Sequence, residues 1–264
     1  MGGVFDHKAW AGDKISSVLS DNTPAVIQKV AAAGKGELYW SVGDVYPIAL
    51  SGTVGSLSLS GTYYAFIIGF NHNSSKEGNG IHFQFGKTSS GADIAFADRG
   101  YNSNKTSGTW FNMNNSQSNS GGWNNSRMRT VVCQAFLSAM PSDWQSVIAS
   151  CTKYSDNTGG GSDTASYVTS TSDKIWLLSE FEVQGTRTYA NSAEKNYQAQ
   201  YAYYANGNSK IKYQHSNTST SCAWWVRSPN AGNAREFCAV RYNGGAYFNL
   251  AYHSYGFAPG FKVA

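Results

Sequence analysis

Charge is scarce in this chain of 264 residues: Asp, Glu, Lys and Arg together make up 14% of it, and the formal net charge is only +4. Lys and Arg form no dense cluster, so nothing tracks a phosphate backbone and no nucleic-acid partner is expected. No apolar stretch approaches a membrane span. The best, residues 63–70, is strand-sized, so no membrane insertion is expected. The start, Met1-Gly2-Gly3-Val4-Phe5-Asp6-His7, has no apolar run behind a basic segment and reads as no signal peptide. Cysteine occurs only at Cys133, Cys151, Cys222 and Cys238, never as C-x-x-C or at zinc-finger spacing. Buried free thiols are the reading, with a Cys222–Cys238 disulfide as the alternative. His72 and His82 lack an acidic or cysteine partner at ligand spacing. They read as strand and loop histidines, and no metal or other cofactor is expected.

What the chain has instead is aromatic residues, also 14%, and 28 glycines. A chain this long buries a real core, and this composition indicates a β-rich, loop-rich fold with an aromatic interior. Residues 1–35 read as an appendage with a short helix: Thr23 caps it, Pro24 takes its first position, and Val26, Ile27 and Val30 share a face. Strands are expected at 38–40, 45–50, 56–59 and 63–70. In 81–85, His82 and Gln84 face away from Ile81, Phe83 and Phe85. Residues 98–126 form a long polar loop plugged by Trp110, Phe111 and Trp123. The clearest helix spans 127–140, with Met128, Val131, Val132, Ala135, Phe136 and Ala139 on one face. It is capped by Ser126 or Asn125 and stopped by Pro141. Ser142-Asp143-Trp144-Gln145 reads as a capping box for a second, shorter helix. Residues 156–166 form a Gly/Ser-rich surface loop. Residues 174–183 read as a buried strand and its continuation, with Glu180 and Glu182 on a solvated or hydrogen-bonded edge. Residues 194–204 suit a short helix or an aromatic loop.

The last forty residues organise the chain. Trp224-Trp225-Val226-Arg227-Ser228-Pro229 and Gly256-Phe257-Ala258-Pro259-Gly260-Phe261 frame a segment of Asn, Gly, Ala, Tyr, Phe, Arg and His. Alternation in 237–241 places Cys238 and Val240 inward, and Phe237, Ala239 and Arg241 outward or toward a ligand. Asn243-Gly244 signals a hairpin turn, with 246–251 as the return strand. Tyrosine gives a large, stiff contact area at low entropy cost, and Asn, Ser and Gly adapt their hydrogen bonds. Tyr242, Tyr247, Phe248, Tyr252 and Tyr255, with Arg235 and Arg241, have the composition of binding hot spots. For Phe248 and Tyr255 a core position is an equal reading. Trp224, Trp225, Phe257 and Phe261 read as core.

These end motifs resemble the C-terminal part of the variable proteins of diversity-generating retroelements, a phage and gut-bacterial group that includes tropism determinants. Gly69-Phe70-Asn71-His72, Gly80-Ile81-His82-Phe83-Gln84, Gly121-Gly122-Trp123-Asn124, the helix with Arg127 and Arg129, and residues 173–182 extend the likeness. It covers roughly residues 38–263. The resemblance implies an α+β, C-type-lectin-like fold of mostly antiparallel strands with two helices and long ordered loops. The domain would span 36–264, with a variable ligand-binding segment at 230–255. Such retroelements alter adenines, classically in AAC codons, whose first two bases cannot be changed to give Lys, Met, Gln, Trp or Glu. The segment contains none of the first four, and Glu only at Glu236, which would be a fixed position. The implied ligand-binding positions are Asn233, Arg235, Ala239, Arg241, Tyr242, Asn243, Tyr247, Phe248, Asn249, Tyr252, His253 and Tyr255.

The function expected from this likeness is receptor binding, by a phage tail tip or a bacterial cell-surface adhesin. The partner would be a host-surface protein or a glycan, since lectin ancestry does not by itself imply sugar binding. The terminal segment offers no Asp, so calcium is not expected there. Tail-tip proteins are commonly trimeric, and an appendage at 1–35 would serve assembly; a homo-oligomer and a monomer both fit. Two alternatives come from other classes. A formylglycine-generating-type oxidase would use Cys222 and Cys238, but Cys238 sits in an apolar strand pattern where thiols are inert. Ser254 beside His253 is a sequence neighbourhood and no triad. A passive structural virion component would carry a more charged surface than this segment does.

Overall fold

Alternating apolar residues predict strands best where the structure, a computed structural model describing residues 14–264, forms its largest sheet. β1 (Val45–Val54) and β2 (Leu57–Phe70) make one long antiparallel hairpin, so the strands expected at 56–59 and 63–70 are continuous. β3 (Ile81–Lys87) pairs with β2, and the closing strand Gly260–Val263 pairs with β3. Short strands Ile148–Ala149 and Ile175–Trp176 complete this six-stranded sheet on the closing strand. The sheet curls into a half-barrel, and pairing throughout the molecule is mostly antiparallel, an α+β architecture.

Both faces of this sheet are covered. Ala65, Ile67, Ile81, Phe83, Phe85 and Phe261 join the larger core, where the Phe83 and Phe261 rings stack at 5.1 Å. Phe66 and Ile68 join a second core with Tyr201, Tyr203, Tyr204 and Trp224. His82 and Gln84 lie away from the phenylalanines, as alternation predicts, yet they are fully buried. His82 Nδ1 lies 3.0 Å from the Tyr201 hydroxyl, and Gln84 Oε1 accepts from the Tyr204 hydroxyl at 2.6 Å.

Helix α1 (Pro24–Ala32) starts as expected: Thr23 Oγ1 accepts the Val26 N–H at 3.3 Å, with Pro24 in the first turn. Its Ile27 and Val30 are fully buried in the larger core, and Gln28 donates to the Ala264 carbonyl at 3.2 Å. Leu19 and one face of α1, in the described part of the expected appendage, therefore pack into the main core. A helix this short is marginal alone and gains its stability from that packing. Residues 1–13 of the appendage lie outside the described residues.

Several local expectations change. Residues 38–40 are not a strand; Gly36–Leu38 is a single 3₁₀ turn after α1. The helix at 127–140 opens as a π-helical segment, Met128–Val132, in which Cys133 N–H bonds the Met128 carbonyl, before α2 (Cys133–Ala139). Met128, Val132, Phe136 and Ala139 are buried as expected, with Cys133 beside them, while the wider turn leaves Val131 41% exposed. Ser126 does serve the helix start, its Oγ accepting the Arg129 N–H at 3.2 Å. α3 (Ser142–Val147) forms without the expected capping box: Asp143 accepts its neighbour Trp144 N–H, and the Gln145 amide bonds the Met140 carbonyl. A complete capping box occurs instead at α4 (Glu180–Gln184), where Ser179 and Glu182 bond each other's backbone N–H. Only Ile175–Trp176 of the expected strand at 174–183 pairs as a strand. In 98–126, Phe111 and Trp123 are fully buried plugs, as predicted, whereas Trp110 is only half-buried, with Lys105 Nζ 4.2 Å from its ring centre.

Candidate ligand-binding face

The C-terminal segment folds as a three-stranded antiparallel sheet: β4 (Trp224–Pro229), β5 (Glu236–Val240) and β6 (Ala246–Leu250). Successive strand residues leave opposite faces, and here each face meets its own core. Trp225, Phe237 and Ala239 join the larger core; Trp224, Val226, Cys238 and Val240 join the second. This corrects the outward placement of Phe237 and Ala239, which are 0% and 1% exposed. β5 is the central strand, flanked on both edges and packed on both faces. Ala239, directly paired with Tyr247, is a sealed small residue and no contact position.

Beyond β5 the chain leaves the core. Arg241 N–H bonds the Gly245 carbonyl and Gly244 N–H bonds the Arg241 carbonyl, both at 2.8 Å, closing the turn that Asn243-Gly244 predicts. Gly244 sits at φ +88°, a conformation that glycine enters without steric cost. Arg241, Tyr242 and Asn243 are exposed on this turn. The Arg241 guanidinium lies over two rings, 5.1 Å from the centre of Tyr242 and 5.2 Å from that of Tyr247. With Tyr255 these residues border a recess of about 340 Å³, whose other walls come from Tyr101, Asn102, Gln214, Thr220, Ser221 and Ala223.

The remaining predicted positions divide. Asn233, Tyr247, Phe248, Asn249 and His253 are half-buried, and Arg235 is exposed. Phe248 packs edge-on against Tyr189 at 4.7 Å. Tyr255 is 5% exposed, 5.0 Å from the Trp225 ring, and its hydroxyl accepts from Asn249 Nδ2 at 2.6 Å. Burial pushes its pKa up to about 12. It is a core residue that forms the floor of the recess. Tyr252 is 8% exposed; Gln117 donates to its hydroxyl at 2.6 Å and in turn accepts from Arg235. The His253 ring nitrogens face the side-chain oxygens of Asn104 and Asn102 at 2.8 and 3.2 Å. Tyr101, Asn102, Gln214, Thr220 and Ser221 were not legible as site residues, because only the packing of their strands and loops brings them to residues 241–255.

The 230–236 loop is pinned from beneath. The buried Asn119 amide donates to the carbonyls of Asn230, Asn233 and Glu236 at 3.3, 2.9 and 2.8 Å, and its oxygen accepts the Gly160 N–H at 2.8 Å. Gly159 is required beside it, since a Cβ there would stand 1.9 Å from the Asn119 carbonyl oxygen. Asn119→Ala should cost about 1–3 kcal/mol, the penalty of stranding buried polar groups. It should also raise amide exchange selectively at Gly160, whose N–H the side chain accepts, and at Asn230 and Glu236 in the loop it pins; uniform exchange across the protein would count against the clamp.

Behind the recess sheet lies a buried charge network. Glu182 accepts from Arg227 Nη1 at 2.5 Å and Nη2 at 2.9 Å, and Lys153 Nζ stands 2.7 Å from Glu182 and 2.8 Å from Glu77. Burial alone would favour neutral Glu182, but Arg227 and Lys153 hold it well below the usual carboxylate range. Burial raises Glu77, only partly offset by Lys153. Burial would lower Lys153, yet Glu182 and Glu77 keep it above its ordinary value. Glu77, His82 and Cys151, and also His72, Glu77 and Glu182, bring potential metal ligands within 4.8 Å of one another. The Lys153 ammonium stands between the two carboxylates, so a cation of the chain itself balances them. Glu180, read as an edge residue, is 1% exposed and accepts the N–H groups of Thr188, Tyr189 and Ala190. All four cysteines are buried free thiols.

A family model described as Domain of unknown function (DUF6273) matches residues 102–264. No curated protein and no solved structure matches the chain. Among the described residues no helix is long and apolar enough to cross a membrane.

Proposed function

We propose, from the premise that this chain belongs to the DUF6273 family of domains of unknown function, that it is a ligand-binding module and not an enzyme. Its scaffold is C-type-lectin-like, and the 230–255 segment displays a retroelement-diversified face. The protein serves as a receptor-binding phage tail-tip protein or a bacterial cell-surface adhesin, and its partner is a protein on the host surface. The observation that carries this reading is the gathering at one recess of Arg241 and Tyr242, on the turn, and Tyr247, on β6, beside a strand β5 sealed on both faces. Side chains on the turn can change without disturbing the core, while the sheet holds them in position. Glu236, whose carboxylate accepts from Asn230 Nδ2 at 2.8 Å across the loop, suits a fixed position within a changing segment.

The oxidase alternative asks for a reactive thiolate. Burial pushes Cys222 up to about 12 and raises Cys238 well above its ordinary value, so both are poorly ionised at neutral pH. The exposed tyrosine and arginine on the turn argue against a passive virion part.

The double variant Tyr242→Ala/Tyr247→Ala should weaken attachment to host cells about 10- to 100-fold, as hot-spot truncations do. The variant should still fold, its melting temperature lowered only by the loss of the half-buried Tyr247 that packs against the larger core; Tyr242→Ala alone should match the parent. Undiminished attachment by the folded variant would return the protein to a passive role. Diversification has its own test in the flanking DNA: a near-copy of the codons for 230–255, differing at adenines, beside a reverse-transcriptase gene. Without such a copy the binding face stands and the diversification falls.

A further inference from the structure

The recess contains an arginine with no carboxylate. Among the described residues the Arg241 guanidinium makes no side-chain hydrogen bond or ion pair; its partners are the Tyr242 and Tyr247 rings beneath it. Stacking on aromatic faces leaves the N–H groups at the guanidinium's edge free, in the fork that matches a carboxylate. It also holds the side chain, so less conformational freedom is lost when a ligand binds.

Among the described residues no carboxylate lines the recess. The stretches that build this face, 98–126 and 201–264, contain only Asp98 and Glu236 as acidic residues. Asp98 is 5% exposed and is used up by the Ser254 hydroxyl and the N–H groups of Gly100 and Phe111. Glu236 is held by Asn230. Exposed or half-exposed cations on the same stretches are Arg99, Lys105, Lys210, Arg235 and Arg241. The resulting field attracts acidic ligands.

We infer that this recess takes a carboxylate presented by an acidic segment of a protein ligand, with Arg241 as its anchor. The inference rests on the binding reading above and names the chemistry of that site. A volume of about 340 Å³ accepts one acidic side chain and a neighbouring residue. Asn102, Gln214 and Ser221 on its walls can pair with the backbone of that segment. A sugar acid carries the same charge, but a pyranose seeks an open aromatic face. Tyr247 already carries Arg241 and stacks on Phe248 at 5.7 Å.

The test titrates the full chain with capped pentaglutamate, capped pentaglutamine and N-acetylneuraminic acid, by calorimetry and by NMR. Pentaglutamate should bind at least about tenfold more tightly than pentaglutamine, shift the resonances of Tyr242, Tyr247 and Asn102, and weaken at high salt. Arg241→Gln should abolish the preference; Arg241→Lys should retain part of it, because an ammonium keeps the charge and loses the fork. Lys195→Gln, an exposed cation outside these stretches, should leave it standing. Exposure of Arg241 and Lys195 keeps these variants folded, as equal melting temperatures will verify. Equal affinity for the two peptides, or a preference that survives Arg241→Gln, overturns the inference. Binding of N-acetylneuraminic acid without pentaglutamate overturns the protein-segment assignment. If Arg241→Gln attaches to host cells normally while Tyr242→Ala/Tyr247→Ala does not, the binding face stands and the acid anchor alone is lost.

Discussion

Replacing Glu182 by alanine should destabilise the protein by about 3–5 kcal/mol, a large part of the folding free energy of an ordinary domain. One carboxylate serves three partners at this position. As the third residue of α4 it bonds back to the Ser179 N–H at 3.0 Å and completes the capping box. It also receives both terminal nitrogens of Arg227 and the Lys153 ammonium. Arg227, Lys153 and Glu182 all have fully buried side chains. Without Glu182, two buried cations would keep only Glu77 and the more distant Glu194, and desolvation would no longer be offset by direct pairing of Arg227. Glu182→Gln keeps the shape and part of the cap, so it should lose less. Replacing Glu182 and Arg227 together with apolar residues of similar volume should lose less again, since no uncompensated charge then remains between them. Urea denaturation decides the matter: the midpoint should fall at constant slope. A midpoint unchanged in Glu182→Ala would mean that water reaches these groups in the native state.

Acid should weaken the protein in a window set by two histidines. Burial, reinforced by Lys153, lowers His72 to about 3 and lowers His82 well below its ordinary value. Their Nε2 atoms are buried and find no hydrogen-bond partner among the described residues. In the unfolded chain both titrate near 6.5. As pH falls below that value, the unfolded state takes up protons that the native state refuses. Stability then declines by up to about 1.4 kcal/mol per pH unit for each histidine. For His72 the decline ends near pH 3. Glu182, held low by its cations, adds to the loss as pH falls below the ordinary carboxylate value. Glu77 and Glu194, raised by burial, act in the opposite sense, their contribution being present in acid and lost as pH rises. Comparing wild type with His82→Gln cancels these common contributions. Between about pH 6.5 and 5 the variant should lose stability less steeply, by up to about 1.4 kcal/mol per unit. Parallel curves would mean that native His82 ionises freely.

These two networks bear on function through the scaffold. Arg227 lies on β4, a strand of the sheet that carries the 241–245 turn, and Ser228 donates to Glu194 at 2.6 Å from the same strand. A fixed, charge-balanced layer behind β4 and an aromatic core in front of it keep the strand in register. The turn can then vary in side chain without varying in position.

Much of the chain's local conformation was legible in its residues. Thr23-Pro24 starts α1, Pro141 ends α2, Asn243-Gly244 turns the last hairpin, and alternation in 81–85 sorts His82 and Gln84 from the phenylalanines. Capping, proline geometry, turn chemistry and strand periodicity all act within a few residues, so the sequence alone sets them. What covers each face is decided elsewhere in the chain. Phe237 and Ala239 are sealed because the larger core packs against one side of β5 while the second core covers the other. Glu182 meets Arg227 across 45 residues, and an apolar run at 175–178 gives way to a helix once Ser179 and Glu182 cap it. Tyr101, Gln214 and Ser221 reach Arg241 only because their strands and loops pack beside the terminal sheet. Periodicity says which way a side chain leaves the backbone. Only the assembled tertiary structure says what it meets there, because burial is a property of the partner surface and not of the residue.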